Sequence, residues 1–331
     1  MKKILVYGFY GDCANVGDQL FTEAYQYLFP NFKFVFTDTI TISKLKDIDA
    51  VFFGGGSFLL EKPLIDADAL DTLKSIKIFY LGIGVEDEIH PIHKELLSHA
   101  RLIATRSSNK ANELKIINDN VIYIPDLVYS LQSKVKPSDK IHKSVLILPN
   151  ISVVPVNSDP YWMHAAWLYF KNEFAQFVDW LVENKYKPTF FSMCHGNKLD
   201  DTWMSCELVS HMDHRSNSYL TVHDNGKYFV SQLSQITNLI SQYETVITQR
   251  FHGIVLAEMI NIPYIAIHHH DKLKFDKSED NGLFLSYYNC SKQSFINLFE
   301  KTKKIKFENN CDKNENMFKE LVERVIFLLG N

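Results

Sequence analysis

A chain of 331 residues with 46% hydrophobic content is long enough to fill two cores. Its net charge of -4 lacks the basic excess that marks a nucleic-acid partner, so any anionic ligand has to be drawn by a local cluster. Cys13, Cys194, Cys206, Cys290 and Cys311 are an odd set without C-x-x-C spacing, which argues against a disulfide framework or a thiolate zinc site and makes a reducing cytoplasm the default.

Lys2-Lys3 precede a short apolar run that breaks at Gly8, and no later apolar stretch approaches bilayer length. Neither export nor membrane insertion is expected. Apolar runs of strand length follow at 4–9, 34–37, 50–53, 78–82, 102–105 and 121–124, separated by amphipathic segments. Such continuous runs belong to a parallel sheet buried on both faces. At 133–143 the pattern lapses into Lys, Ser, Pro and Asp, a linker signature. It restarts with a strand at 145–148, a helix over 167–183, strands at 189–193, 219–222, 245–248 and 264–267, and helical patterns at 295–303 and 317–329. The fold class read from this order is α/β, with two Rossmann-like doubly wound domains facing across a cleft. The N-terminal domain spans 1–135, the C-terminal domain 144–290, and closing helices 291–331. Ligands are expected at the carboxyl ends of the strands.

Every motif with chemical content falls at such an end. Gly8 to Asp18 follows the first strand, with a helix expected from about Gln19. The spacing is not the G-x-G-x-x-G fingerprint, and Asp18 would meet a pyrophosphate as a like charge, so a nicotinamide cofactor is disfavoured. Asp18 reads either as a helix N-cap or as a group that binds or deprotonates a hydroxyl. Gly54-Gly55-Gly56-Ser57 lets main chain pass close to a ligand or lets a helix pack on the sheet, and Gly82-Ile83-Gly84 repeats the signal more weakly. Arg106, before Ser107 and Ser108, reads either as an anion contact or as a guanidinium paired across strand ends with Asp126. His195, with Asp200 and Asp201 nearby, is either structural or a cleft imidazole.

Arginine is scarce: of 35 basic residues only Arg101, Arg106, Arg215, Arg250 and Arg324 carry a guanidinium. Arg250 lies in Thr248-Gln249-Arg250-Phe251-His252-Gly253, between a strand and a helix. A helix start offers backbone N–H groups and partial positive charge to an anion, which Arg250 can grip bidentately and His252 can protonate. His268-His269-His270-Asp271 lacks a clear further ligand, so no metal is expected there. Lys272 and Lys274 instead extend the positive pocket around Arg250.

Taken in order, Asn15-x-Gly17-Asp18, Gly54-Gly55-Gly56, Gly82-Ile83-Gly84, Arg106 before serines, Pro125-Asp126, and Arg250-Phe251-His252-Gly253 with Ala257 and Pro263 resemble the polysaccharide pyruvyl transferase family over most of the chain. The resemblance implies a GT-B-like pair of Rossmann domains, the first on the acceptor side and the second on the donor side. It implies transfer of a pyruvyl group from phosphoenolpyruvate to a sugar diol of a glycan or its precursor, as a cyclic ketal, with no cofactor or metal. By that resemblance His252 and Asp18 are catalytic, His252 as general acid. Arg250, Gly253, Arg106 and Lys272 bind the donor, and Asn15, Gly17, Gly55 and Gly56 the acceptor. One departure is visible. Family members often carry arginine at the end of the second domain's first strand, where this chain has Pro149-Asn150, and that shifts the clamp toward Lys272 or Arg106. Two other functions fit the same residues: a nucleotide-sugar glycosyltransferase in which Glu258 holds a ribose, and a catalytically silent glycan-binding relative.

Overall fold

The apolar runs at 50–53, 78–82, 102–105, 145–148, 245–248 and 264–267 are buried throughout, whereas the edge runs at 34–37 and 121–124 are partly half-buried, in the computed structural model, which describes residues 1–8, 14–57, 59, 62–85, 88–136, 138–196, 200–217, 220–223, 232–268, 282–305 and 311–330. Two compact units result. One comprises Met1–Asp12, Asp18–Ser133 and Asn310–Asn331, the other Cys13–Gly17 and Lys134–Asn309.

The chain begins with β1 (Lys2–Tyr7), the two-residue β2 (Ala14–Asn15) and α1 (Val16–Leu28). It continues through β3 (Phe32–Thr37), α2 (Ile42–Leu45), β4 (Ala50–Gly56), α3 (Ala67–Ser75), β5 (Lys77–Ile83), α4 (Pro91–His99), β6 (Leu102–Thr105), α5 (Ser108–Leu114) and β7 (Val121–Tyr123). The first unit's parallel sheet has the order β3-β1-β4-β5-β6-β7. Every residue of β4 is buried, as a central strand covered on both faces requires.

The second unit runs β8 (Ser144–Leu148), α6 (Tyr161–Glu183), β9 (Lys187–Phe191), β10 (Cys194–His195), α7 (Asp201–Ser210), β11 (Thr221–His223), α8 (Leu233–Ser241), β12 (Thr245–Thr248), α9 (Phe251–Met259), β13 (Tyr264–His268), β14 (Gly282–Ser286) and α10 (Lys292–Thr302). Its parallel sheet has the order β11-β9-β8-β12-β13-β14. The last helix, α11 (Cys311–Gly330), belongs to the first unit, where Lys77 Nζ donates to the Leu329 carbonyl at 3.0 Å. Among the described residues no helix is long and apolar enough to cross a membrane.

Strand order locates the ligand-competent edge. From β8 the chain moves outward to β9 and β11, then returns to β12 on β8's other side, so the carboxyl ends of β8 and β12 form a topological switch point. The register Thr248↔Leu148 brings the two strand ends level.

Two elements depart from the sequence reading. The first helix starts at Val16, not near Gln19, because Asn15 Oδ1 accepts from the Gly17 amide at 3.0 Å, the contact an N-cap makes with the second helical residue. Asp18 therefore lies in the first turn, where its charge suits the helix dipole, and Asn15 does the capping. The edge strand β14 also went unread: its side chains from Leu283 to Leu285 are only half-buried, which weakens the apolar signal.

The first core holds a histidine that gives stability a pH dependence. His93 is buried against Phe53 and Tyr80, with Tyr80 Oη 3.3 Å from Nδ1. Burial, followed by the charge of His90, lowers its pKa from 6.5 to about 4. The unfolded chain takes up this proton as pH falls through about 6.5, whereas the folded chain resists until about 4. The stabilisation is thus complete above the unfolded value and is lost between the two, up to about 3 kcal/mol. His93→Leu is expected to flatten that part of the profile. Chemical denaturation at about pH 7 and about pH 4.5 checks it, and an unchanged pH dependence would exclude His93 as the source.

Candidate active site

At the switch point β12 ends in Thr248, whose Oγ1 accepts from the Arg250 amide and donates to the Arg250 carbonyl, both at 2.9 Å. This side-chain turn converts strand to helix within two residues and makes Arg250 the N-cap position of α9. Gly253 is needed for the close approach. A Cβ there would overlap Thr248 Oγ1 and lie 2.8 Å from Leu148 Cδ1. Its amide donates to the Arg250 carbonyl at 3.0 Å, so Gly253 shapes the turn.

Arg250 is held by Asp201. The guanidinium Nε donates to Asp201 Oδ2 at 2.9 Å and Nη2 donates to Oδ1, a bidentate pair. Asp201 is fully buried and also accepts from the Ile151 and Cys194 amides, each at 3.0 Å. Four charge-assisted hydrogen bonds meet on this carboxylate. Desolvating the ion pair is costly unless its remaining lone pairs are satisfied, and the two amides do that. Asp201 takes two of the five N–H donors of a guanidinium and so fixes the plane in which the others point.

His252 follows two residues later, and its ring is set against main chain. A Cβ on Gly17 would overlap the imidazole at Nδ1 and Cγ, so the bare Cα of Gly17 is what lets the ring lie there. The strap that carries Gly17 is pinned to the second unit. β2 pairs antiparallel with β10, Asn15 opposite Cys194, and the Val16 amide donates to the Met193 carbonyl at 2.8 Å. Asn15, Gly17, Arg250, His252 and Gly253 are thereby brought together in one unit.

The adjacent aspartates divide the work. Asp200 caps α7 by accepting from the Thr202 amide at 2.8 Å, and its Oδ2 lies 2.7 Å from His195 Nδ1, a charge-pair distance at an angle that falls short of a hydrogen bond. The sequence reading placed both carboxylates near an imidazole. Asp201 instead serves a guanidinium, an assignment that needed the distance between α7 and α9. Gln249 was also missed. It is buried, its Oε1 accepts from the Asn150 amide at 3.1 Å, and its Nε2 donates to nothing among the described residues. The Asn150 amide fixes which end of the Gln249 side chain is the oxygen. Asn150 itself caps the short turn Ile151–Val153, its Oδ1 accepting from the Ser152 amide at 3.0 Å.

Gly55, Gly56, Arg106 and Asp18 belong to the first unit. Gly55 and Gly56 end β4 with φ of 83° and 128°, conformations that favour glycine. Gly54 makes room for Tyr25, whose hydroxyl a Cβ would overlap. The Arg106 side chain, 8% exposed, donates to Asp126 Oδ2 at 2.8 Å and to Ser57 Oγ at 2.9 Å. Of the two readings of Arg106, pairing across strand ends is the one observed, and a buried Asp126 is neutralised by it. Asp18 is buried in the first turn of α1. Lys272 and Lys274, with His269 to Asp271, lie outside the described residues. Among the described residues no group of three His, Cys, Asp or Glu could hold a metal ion. A cavity of about 410 Å³ in the first unit, bounded by Tyr27, Tyr129 and Phe318, contains none of the predicted residues.

Solved structures of sugar-nucleotide enzymes share this fold. UDP-GlcNAc 2-epimerase from Neisseria meningitidis bound to UDP-GlcNAc superposes with a TM-score of 0.58 at 10% identity, over 99% of this chain and 100% of the epimerase. The S. aureus MnaA–UDP structure gives 0.63 at 12% identity, over 100% and 97%. The Methanocaldococcus jannaschii UDP-GlcNAc 2-epimerase gives 0.59 at 10%, over 99% and 100%. At these identities the likeness shows the GT-B-like fold alone. Comparison with curated proteins yields no match. The sequence matches the family model described as polysaccharide pyruvyl transferase over residues 15–271, a span that opens on the capping Asn15 and runs past Arg250 and His252. The chain therefore belongs to the polysaccharide pyruvyl transferase family.

Proposed function

We propose that this protein transfers a pyruvyl group from phosphoenolpyruvate to two hydroxyls of a sugar, forming a cyclic ketal on a glycan or glycan precursor. The observation that carries the reading is the contact of Gly17 with the His252 ring, which joins the two ends of the family motif set in one unit. Phosphoenolpyruvate brings a carboxylate, a phosphate and an enol carbon that must gain a proton. Arg250, oriented by Asp201, supplies a planar fork for one of the anionic groups, and the buried Nε2 of Gln249, the preceding residue in the chain, is a candidate further donor.

In this reading His252 as imidazolium gives its proton to the enol methylene carbon, and C2 becomes an oxocarbenium-like centre. A sugar hydroxyl oxygen bonds to C2 and releases its proton. The C2–O bond to phosphate then breaks, phosphate leaves with the electron pair, and the second hydroxyl closes the ring as it loses its proton. Asp18, one residue beyond Gly17, is the candidate acceptor of a hydroxyl proton, and Asn15 and Gly17 line the acceptor side.

A nucleotide-sugar donor is the competing reading, and its proposed ribose ligand is already engaged: Glu258 Oε1 accepts from the Tyr264 hydroxyl at 2.7 Å. Thermal denaturation separates the two. A ligand at a hundred times its Kd stabilises by about 2.7 kcal/mol, a shift of several degrees. Phosphoenolpyruvate is expected to raise the Tm, and UDP and UDP-sugars to leave it unchanged. The reverse pattern overturns the pyruvyl reading. If no donor shifts the Tm, the silent glycan-binding reading takes its place.

A further inference from the structure

Helix α6 is apolar on two sides. One side is core: Trp167, Phe170, Phe174, Phe177 and Leu181 pack on the sheet and on Phe295. The opposite side faces solvent, where Tyr161 is 87%, Trp162 58%, Leu168 56% and Tyr169 48% exposed. With Ala165 these positions recur at helical spacing and form one stripe along the first half of the helix. Tyr288 extends it, its ring 5.6 Å from that of Trp162. The stripe runs on into exposed Asn172 and Gln176, and from Tyr161 to Gln176 none of its positions carries a charge; the first exposed charge on that face is Glu183 at the end of the helix.

We propose that this stripe is the contact surface for a second copy of the chain. At roughly 150–250 Å² per aromatic side chain, scaled by exposure, the stripe offers about 600 Å². Two copies would bury about 1,200 Å², above the roughly 1,000 Å² a specific interface has to clear. The composition fits an interface centre, which is rich in Tyr and Trp and poor in charge, and the area reaches the upper end of the roughly 300–600 Å² of the largest patch on a typical monomer. A stripe on one straight helix is self-complementary: it can lie antiparallel across its own image about a two-fold axis, each Trp162 beside the partner's Tyr169.

Charge argues against a lipid surface as the occupant. Interfacial helices carry Lys and Arg along the polar flank. The one cation of α6, Lys171, is buried and paired with Glu207 at 2.6 Å, and the chain is net negative.

Sedimentation velocity over a concentration series tests the inference without any substrate. The wild-type chain is expected to sediment as a dimer that dissociates on dilution. Trp162→Glu and Leu168→Glu, at positions outside the core and outside the proposed active site, are expected to sediment with about half that mass while keeping the wild-type Tm and circular dichroism. Tyr169→Lys serves the same purpose should either acidic variant misfold. A wild-type chain that is monomeric at every concentration overturns the proposal, as does a dimer that survives all three substitutions. Co-sedimentation with phosphatidylcholine–phosphatidylglycerol vesicles that Trp162→Glu abolishes would also overturn it, in favour of a membrane contact.

Discussion

His252→Asn is expected to lower turnover by about 10²- to 10⁴-fold, the usual worth of a positioned general acid, while leaving the phosphoenolpyruvate-induced rise in Tm intact. The split follows from what the imidazole would do: it meets the enol carbon only as the proton moves, so its loss weakens the transition state and not the ground-state complex. Gly17→Ala provides an independent route to the same phenotype. The added methyl would overlap the ring at Nδ1 and Cγ, so the ring has to move or the strap pinned by β2 and β10 has to lift. Overpacking of this kind costs about 1–3 kcal/mol and leaves a folded chain. The expected signature is reduced kcat with an almost unchanged donor KM. Arg250→Ala should do the opposite and raise donor KM first. Wild-type turnover in His252→Asn would remove the imidazole from the reaction. Wild-type turnover in Gly17→Ala alone would leave the imidazole in place but deny that this contact positions it.

The parts of the molecule that could be read in advance are those whose signal is local. The runs at 50–53 and 145–148 are apolar at every position because β4 and β8 are covered on both faces, and a one-dimensional pattern suffices to find them. Arg250 stood out because it is a rare guanidinium at a strand end. What stayed hidden depends on distances across the fold. Arg106 could be an anion contact or a partner of Asp126 until the two were seen 2.8 Å apart. Asp201 looked like a companion for His195 because the chain sets them close in number, whereas the burial of α7's first turn turns it toward Arg250. The start of α6 was lost for a different reason. Residues 161–166 expose large apolar side chains, so the amphipathic period that marked 167–183 is blurred there. The same anomaly reappears as the aromatic stripe.

Asp201→Ala is expected to destabilise the chain by about 3–5 kcal/mol and to abolish the donor-induced Tm shift. The cost is larger than for an ordinary ion pair because the deletion orphans a half-buried guanidinium and the amides of Ile151 and Cys194 at once. Asp201→Asn keeps the size of the side chain and one acceptor oxygen, so it should lose less stability and most of the donor affinity. A double replacement separates architecture from chemistry. Asp201→Leu with Arg250→Met removes both charges, and buried pairs replaced together by apolar residues are often neutral in stability. If the pair serves mainly to aim the guanidinium, the double variant recovers much of the stability lost in Asp201→Ala and still shows no response to phosphoenolpyruvate. Were it to bind phosphoenolpyruvate as the wild type does, Arg250 would be a structural cation and the donor site would have to be sought elsewhere. An Asp201→Ala chain with wild-type Tm would instead mean that Arg250 finds another partner on its own, and that the fixed plane of its guanidinium is not set by Asp201.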